Sequence, residues 1–416
     1  MHTTAMERPW REDARAAGTV GLAHMTSHFF QLLLPPIYPL LMRDFGIGFT
    51  EAGFLATVFF VISSTGQAVA GFAVDRFGAY RILQAGIALL AAAGIMLGVS
   101  HSYAGVVATA AIAGLGNAIF HPADFTILNR RVSPSRLGHA FAMHGLTGNL
   151  GWVAGSSFMA GVASFAGWQA AGFGAALIAL ASLAYLSFQR EILEGPARPR
   201  RQAADPDEAS GEGRGRVEPG SGQFAFLGST TVWLCFAFFF LSTGAGGILQ
   251  NFAPAMLTHL YPISPVTGSL CLTGYLLGSA TGTLLGGFVA GRERRSSLVV
   301  ATALCAAAAV AVLLASGWLP AAALIPALFL LGCGTGCAGP SRDLLVRQAA
   351  TSRFGAGSFG RVYGFVYSGL DGGLAVMPVI VGRILDQGMF AAGLLCIAVL
   401  QISAVMVAVR VGRSQA

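Results

Sequence analysis

Twelve charge-poor apolar runs, separated by clusters of arginine, leave this chain few ways to fold. The runs cover about 18–42, 50–74, 82–100, 104–123, 138–163, 167–188, 224–257, 266–290, 297–316, 319–341, 360–383 and 388–409. Each is long enough to cross a bilayer as a helix, which takes roughly 20 residues. All 25 basic side chains are arginines, and they group in alternate loops. Arg8, Arg11 and Arg15 precede the first run, and Arg76 and Arg81 follow the second. Arg130, Arg131 and Arg136 follow the fourth, and the densest group lies between the sixth and seventh. Only Arg43 and Arg383 fall on the other side. Positive loops stay in the cytoplasm, so both termini and the central stretch are expected there.

Hydrophobic residues make up 55% of the chain and charged ones 10%, and the mean hydropathy is +0.68. That balance excludes a soluble domain. The net charge of +7 does not point to nucleic acid, because no basic stripe carries interleaved aromatics. The arginines fit anionic lipid headgroups instead. All six cysteines lie in apolar runs and read as small buried residues, not as disulfides or ligands. The first run is too long for a signal peptide and lacks a small-residue cleavage site.

Residues 190–222 break the pattern with Pro, Gly and charges of both signs, the composition of a flexible tether. The expected division is a cytoplasmic tail at 1–17, a six-helix bundle at 18–189, the linker at 190–222 and a second bundle at 223–411. The halves resemble each other. SSTGQAVAGF (63–72) aligns with SATGTLLGGF (279–288), and GHAFAMHGLTGNLG (138–151) aligns with GRVYGFVYSGLDGG (360–373). The expected fold is therefore all-α, with twelve transmembrane helices in two pseudo-symmetric six-helix bundles around a site at their interface. The runs Gly148/Gly151/Gly155 and Gly278/Gly282/Gly286 put small faces on helices that must approach closely.

GFAVDRFG (71–78) resembles the loop signature of the major facilitator superfamily through Gly71, Asp75, Arg76 and Gly78. The second-half copy GFVAGRERR (287–295) has Gly291 where the acid falls. HFFQLLLPPIYPLLMRDFG (28–46) and GNAIFHPADFTIL (116–128) are similar to the fosmidomycin-resistance branch of efflux transporters. The resemblance implies a multi-pass protein of the bacterial inner membrane, a monomer working by alternating access, with protons and a small-molecule substrate as partners and no cofactor. It favours proton-driven export of a small polar compound by antiport. Import by symport and a receptor or scaffold that has lost transport remain as alternatives. An enzyme is not expected, since no nucleophile–base constellation is present and a chain without lysine cannot build a Walker phosphate loop.

A charge at bilayer depth costs about 2.5–3.5 kcal/mol on insertion scales, so each one calls for an explanation. Asp371 falls near the middle of the eleventh run, opposite Asn149 in the repeat. It is expected to carry a proton or to balance a cationic substrate. His24, His28 and Gln31 share one helix face, and His28 and His121 are expected to join Asp371 in proton coupling. The expected substrate contacts are His24, His28, Gln31, Tyr38, Asn117, His121, His144, Asn149, Gln250, Asn251, Tyr367 and Asp371. The histidines show no carboxylate partner at metal-ligand spacing, so no metal site is expected. Gating is expected from Asp75, Arg76, Arg136 and Arg361 around the signature loop, and from Asp124 with Arg342 at corresponding helix ends of the two halves. Fosmidomycin-like phosphonates are anionic, yet no arginine sits at mid-membrane. Either protonated His28 and His121 meet the anion, or the substrate is cationic, zwitterionic or neutral.

Overall fold

The computed structural model describes residues 9–194, 228–290, 296–354 and 359–413. Those residues are helical throughout, with no strand among them. The first half contains α1 (Trp10–Gln31), a 3-10 turn (Pro35–Ile37), α2 (Tyr38–Phe45), α3 (Phe49–Phe77), α4 (Ala79–Gly98), α5 (Tyr103–Asn117), α6 (Phe120–Arg131), α7 (Leu137–Ala166), α8 (Trp168–Phe188) and the short α9 (Arg190–Glu194). The second half contains α10 (Thr230–Leu260), α11 (Pro265–Ala290), α12 (Ser296–Ala315), α13 (Ala321–Phe354), α14 (Phe359–Asp386) and α15 (Phe390–Arg413). Taking α1 with α2, and α5 with α6, as single crossings gives six per half.

Two of the expected spans are broken, both at proline. The first starts at Trp10, eight residues before the expected position, and stops at Gln31. Pro35 and Pro36 lack the N–H groups that would carry the helix on, so the chain turns through Pro35–Ile37 before α2. The fourth breaks between Asn117 and Phe120. Pro122 then takes the third position of α6, where a missing N–H would be unpaired in any case. Among the described residues nine helices are long and apolar enough to cross a membrane by length and composition. The crossings outside that set, α1 with α2, α7 and α11, carry polar side chains into the interior of the molecule.

The packing repeats between halves. In the first half α1 packs on α7, α3 on α5 and α4 on α8. In the second, α10 packs on α14, α11 on α13 and α12 on α15. Across the interface α3 lies along α14, and α11 along α7. These pairs exchange under a two-fold relation, as the internal repeat requires. Both glycine runs mark close approaches. Carbonyls of Met25 and Phe29 on α1 lie over Gly151 and Gly155, and carbonyls of Phe329, Cys333 and Cys337 on α13 lie over Gly278, Gly282 and Gly286.

At the end carrying the chain termini, the Arg136 guanidinium donates to the buried Asp13 carboxylate at 2.6 Å. Arg131 donates to the carbonyls of Ile192 (2.5 Å) and Glu191 (3.3 Å), which fastens α9. At the opposite end the Trp168 indole donates to Asp44 at 2.8 Å.

Candidate functional site

A cavity of about 410 Å³ lies between the halves. Its first-half wall is built by α1, α3, α5, α6 and α7, and its second-half wall mainly by α10, α11, α13 and α14. Among the described residues lining it there is no arginine. The charge it holds is Asp371, and the polarity comes from histidines, amides and hydroxyls.

Asn117, the last residue of α5, ties the first-half wall together. Its Oδ1 accepts from Ser27 Oγ (2.6 Å) and Gln31 Nε2 (3.1 Å), and its Nδ2 donates to Ser63 Oγ (2.7 Å). Gln31 in turn accepts the Trp152 indole N–H at 2.8 Å. Four buried or half-buried histidines lie beside this network. The His24 and His144 rings stack with centroids 3.5 Å apart. His28 is 4.3 Å and His121 5.4 Å from His24. Gly148 makes the arrangement possible, because a Cβ there would sit 2.9 Å from atoms of both His24 and His28.

Asp124 lies under the stacked pair and is fully buried. Its Oδ2 is 3.1 Å from His144 Nε2 and 3.4 Å from His24 Nδ1. This corrects one expectation: the histidines do have a carboxylate partner, Asp124 of their own half. Sequence spacing hid it, because the partner comes from packing α1 and α7 against α6. The side chains of Asp75, Arg342, Arg361 and Tyr367 lie outside the described residues. Arg76 is exposed beside Phe77, 5.4 Å from its ring. Arg136 pairs with Asp13.

A bridge that sequence reasoning missed joins the two walls. Gln67 on α3 donates through Nε2 to Asp371 Oδ2 at 3.3 Å. Its Oε1 lies 3.2 Å from His121 Nδ1. An unbroken polar chain therefore runs from the acid of the second half to the histidine cluster of the first. The signal was available, since Gln67 is an amide inside an apolar run.

Of the expected contacts, His24, His28, Gln31, Asn117, His121, His144, Asn149, Gln250 and Asp371 all line this cavity. Tyr38 and Asn251 do not. They bond to each other across the interface at 2.9 Å and line a small void of about 20 Å³ toward the end away from the termini. That end is closed. The Asp386 carboxylate of α14 accepts the backbone N–H of Phe49 (2.5 Å) and of Thr50 (2.9 Å), and also the Thr50 hydroxyl, so it caps α3 from the other half. Phe49 packs edge-on against Phe252 and Phe390, and His259 stacks on Phe390 at 3.9 Å. A Cβ at Gly53 would meet the Pro378 carbonyl at 2.5 Å, which shows how closely the two backbones touch. The hydrogen bonds of Tyr38 with Asn251, of Thr57 with the Ala375 carbonyl, and of Asp386 with α3 all lie beyond Gln67–Asp371 toward this end.

Two pseudo-symmetric six-helix bundles enclosing a polar interfacial cavity are the architecture of a membrane transporter. The chain belongs to the Major Facilitator Superfamily, whose family model matches residues 20–378. It is similar to the fosmidomycin resistance protein of Escherichia coli, 30% identical over 134 residues, which are 32% of this chain and 33% of that one. It is also similar to a multidrug resistance protein B homolog of Mycobacterium tuberculosis, 25% identical over 155 residues, 37% of this chain and 29% of that one. The matches thus span about a third of these relatives. Among solved structures, a bacterial homolog to the human lysosomal transporter Spinster, inward-facing and unoccupied, superposes with a TM-score of 0.69 at 13% identity. That likeness covers 98% of this chain and 96% of the other, and it concerns the fold.

Proposed function

We propose that this protein is a proton-coupled antiporter of the bacterial inner membrane that exports a small polar organic compound by alternating access. The observation that carries this reading is the Asp371–Gln67–His121 chain across the cavity. A carboxylate at membrane depth is costly unless it has work to do. Here it is linked to imidazoles, the side chains whose charge changes near neutral pH. Protonating Asp371 would weaken its tie to Gln67 and free the two walls to part. With the arginine-rich end in the cytoplasm, the described conformation opens inward, and both termini and the linker lie inside. The histidine face and Asp371 then meet substrate, and Tyr38 with Asn251 belongs to the outer gate. Export, as opposed to import, rests on the printed names of the relatives, which are resistance proteins.

The test is proton flux in proteoliposomes loaded with a pH dye, challenged with phosphonates, organic acids, cations and zwitterions. The expected result is a pH change driven by one substrate class, lost in a well-folded Asp371→Asn variant. Full proton-coupled transport by Asp371→Asn would overturn the assignment of coupling to this carboxylate. Silence across the panel beside a working control transporter would overturn the proton-coupled reading for these classes.

A further inference from the structure

The histidine cluster contains a set of atoms that proton coupling does not require. Donor atoms, one each from His24, His144 and Asp124, lie within 4.8 Å of one another, and all three side chains are buried. His24 Nδ1 and Asp124 Oδ1 have no hydrogen-bond partner, nor does His28 Nδ1. Buried polar atoms are rarely left so, and each one calls for a missing partner. Here three of them crowd into one corner of a cavity, and lone-pair donors predominate.

We propose that His24, Asp124 and His144 bind a divalent transition-metal ion of the zinc class, with His28 or His121 completing the donor set. Two imidazole nitrogens and one carboxylate oxygen are a common zinc-type ligand set. Metal–donor bonds of about 2.0–2.1 Å put neighbouring ligands of a tetrahedron about 3.3 Å apart. The observed separations of 3.1 Å and 3.4 Å from Asp124 Oδ2 match that edge. His24, His28 and His121 form a second set within the same 4.8 Å limit, so two further imidazoles lie close by. Gln67 beside His121 Nδ1 is the outer contact that fixes a ligating imidazole, leaving Nε2 free for the metal. Loading requires one adjustment. The 22° between the stacked His24 and His144 rings must widen so that both lone pairs aim at one point. The ion would also bring positive charge to a cavity that has no arginine among its described lining residues.

The experiment uses full-length protein in detergent, with any affinity tag removed, titrated with Co²⁺ and back-titrated with Zn²⁺. The expected result is one Co²⁺ per chain with the visible spectrum of a tetrahedral site, displaced by Zn²⁺. His144→Ala and Asp124→Asn should each weaken binding by more than the roughly 10–100-fold of an outer-contact change. The exposed His139→Ala should bind as wild type. Size-exclusion profiles and melting curves confirm that each variant is folded. No stoichiometric binding by wild type would overturn the proposal. So would wild-type affinity in both folded His24→Ala and His144→Ala, which would assign the binding to surface donors. The assay needs no transport. A chain that binds Co²⁺ but moves no protons loses the proposed function and keeps the site, and a chain that transports without binding metal does the reverse.

Discussion

Gln67 is the residue on which the two walls meet, and its position makes a sharp prediction. An amide cannot titrate, so its contribution is orientation. It presents N–H to Asp371 and a carbonyl oxygen to His121 at the same time. Gln67→Leu keeps the volume and removes both bonds. Substrate-driven proton flux should fall at least tenfold while the variant stays folded, and Gln67→Glu should shift the pH dependence of what remains. Unchanged flux in Gln67→Leu would show that Asp371 acts without the bridge. Much of this site was legible beforehand. The one-face spacing of His24, His28 and Gln31, and the isolated polarity of Asn117, His121, His144 and Asp371, picked out residues that line one cavity. Gln67 was passed over because it lies in a stretch used only to align the halves. Asp124 was read by its nearness to a helix end, and its true neighbours come from helices far away in the chain.

At the scale of elements, α3 and α14 form the seam that closes the end away from the termini. The cap that Asp386 places on α3 should be worth about 0.5–2 kcal/mol, the usual range for a helix N-cap. If it exists only when that end is closed, removing it shifts the balance between closed and open forms by about 2- to 30-fold, since about 1.4 kcal/mol is a factor of ten. Spin labels at Arg43→Cys and Gln387→Cys, in a background without the native cysteines, should therefore report longer distances in Asp386→Ala than with Asp386 intact. Identical distance distributions would show that the aromatic packing of Phe49, Phe252 and Phe390 closes this end alone. Sequence reasoning had assigned gating to charged residues at the arginine-rich end. The cap escaped it because the capped N–H groups belong to the backbone, and backbone groups leave no mark in a residue string. The breaks in the first and fourth spans were closer to hand, in Pro35, Pro36 and Pro122, but the apolar content of the runs masked them.

For the whole molecule, the proposed alternating access has the two bundles rock about the cavity, with the closed end opening in every cycle. Ser157 on α7 and Thr273 on α11 touch there, with their hydroxyl oxygens 3.2 Å apart. Replacing both with cysteine, again without the native cysteines, places two thiols where a disulfide can form. Oxidation should stop transport and reduction should restore it, and substrate should still bind from the open side. Transport that continues in the oxidised, cross-linked protein would argue against rocking at this seam. The two-bundle plan was the most legible feature of all. A repeat of apolar runs and arginine clusters constrains topology through the bilayer itself, whereas the contacts across the interface depend on which helices become neighbours.

The capping of α3 by Asp386 also has a consequence in time. The two partners are 337 positions apart along the chain. At synthesis rates of about 5–20 residues per second, the first turn of α3 waits about 17–67 s for its carboxylate. During that interval its local help is Glu51, which accepts the Gly48 N–H at 2.9 Å. The first bundle must therefore insert and persist with this helix end uncapped from across the interface, and a carboxylate at the end of α14 finishes the second helix to cross.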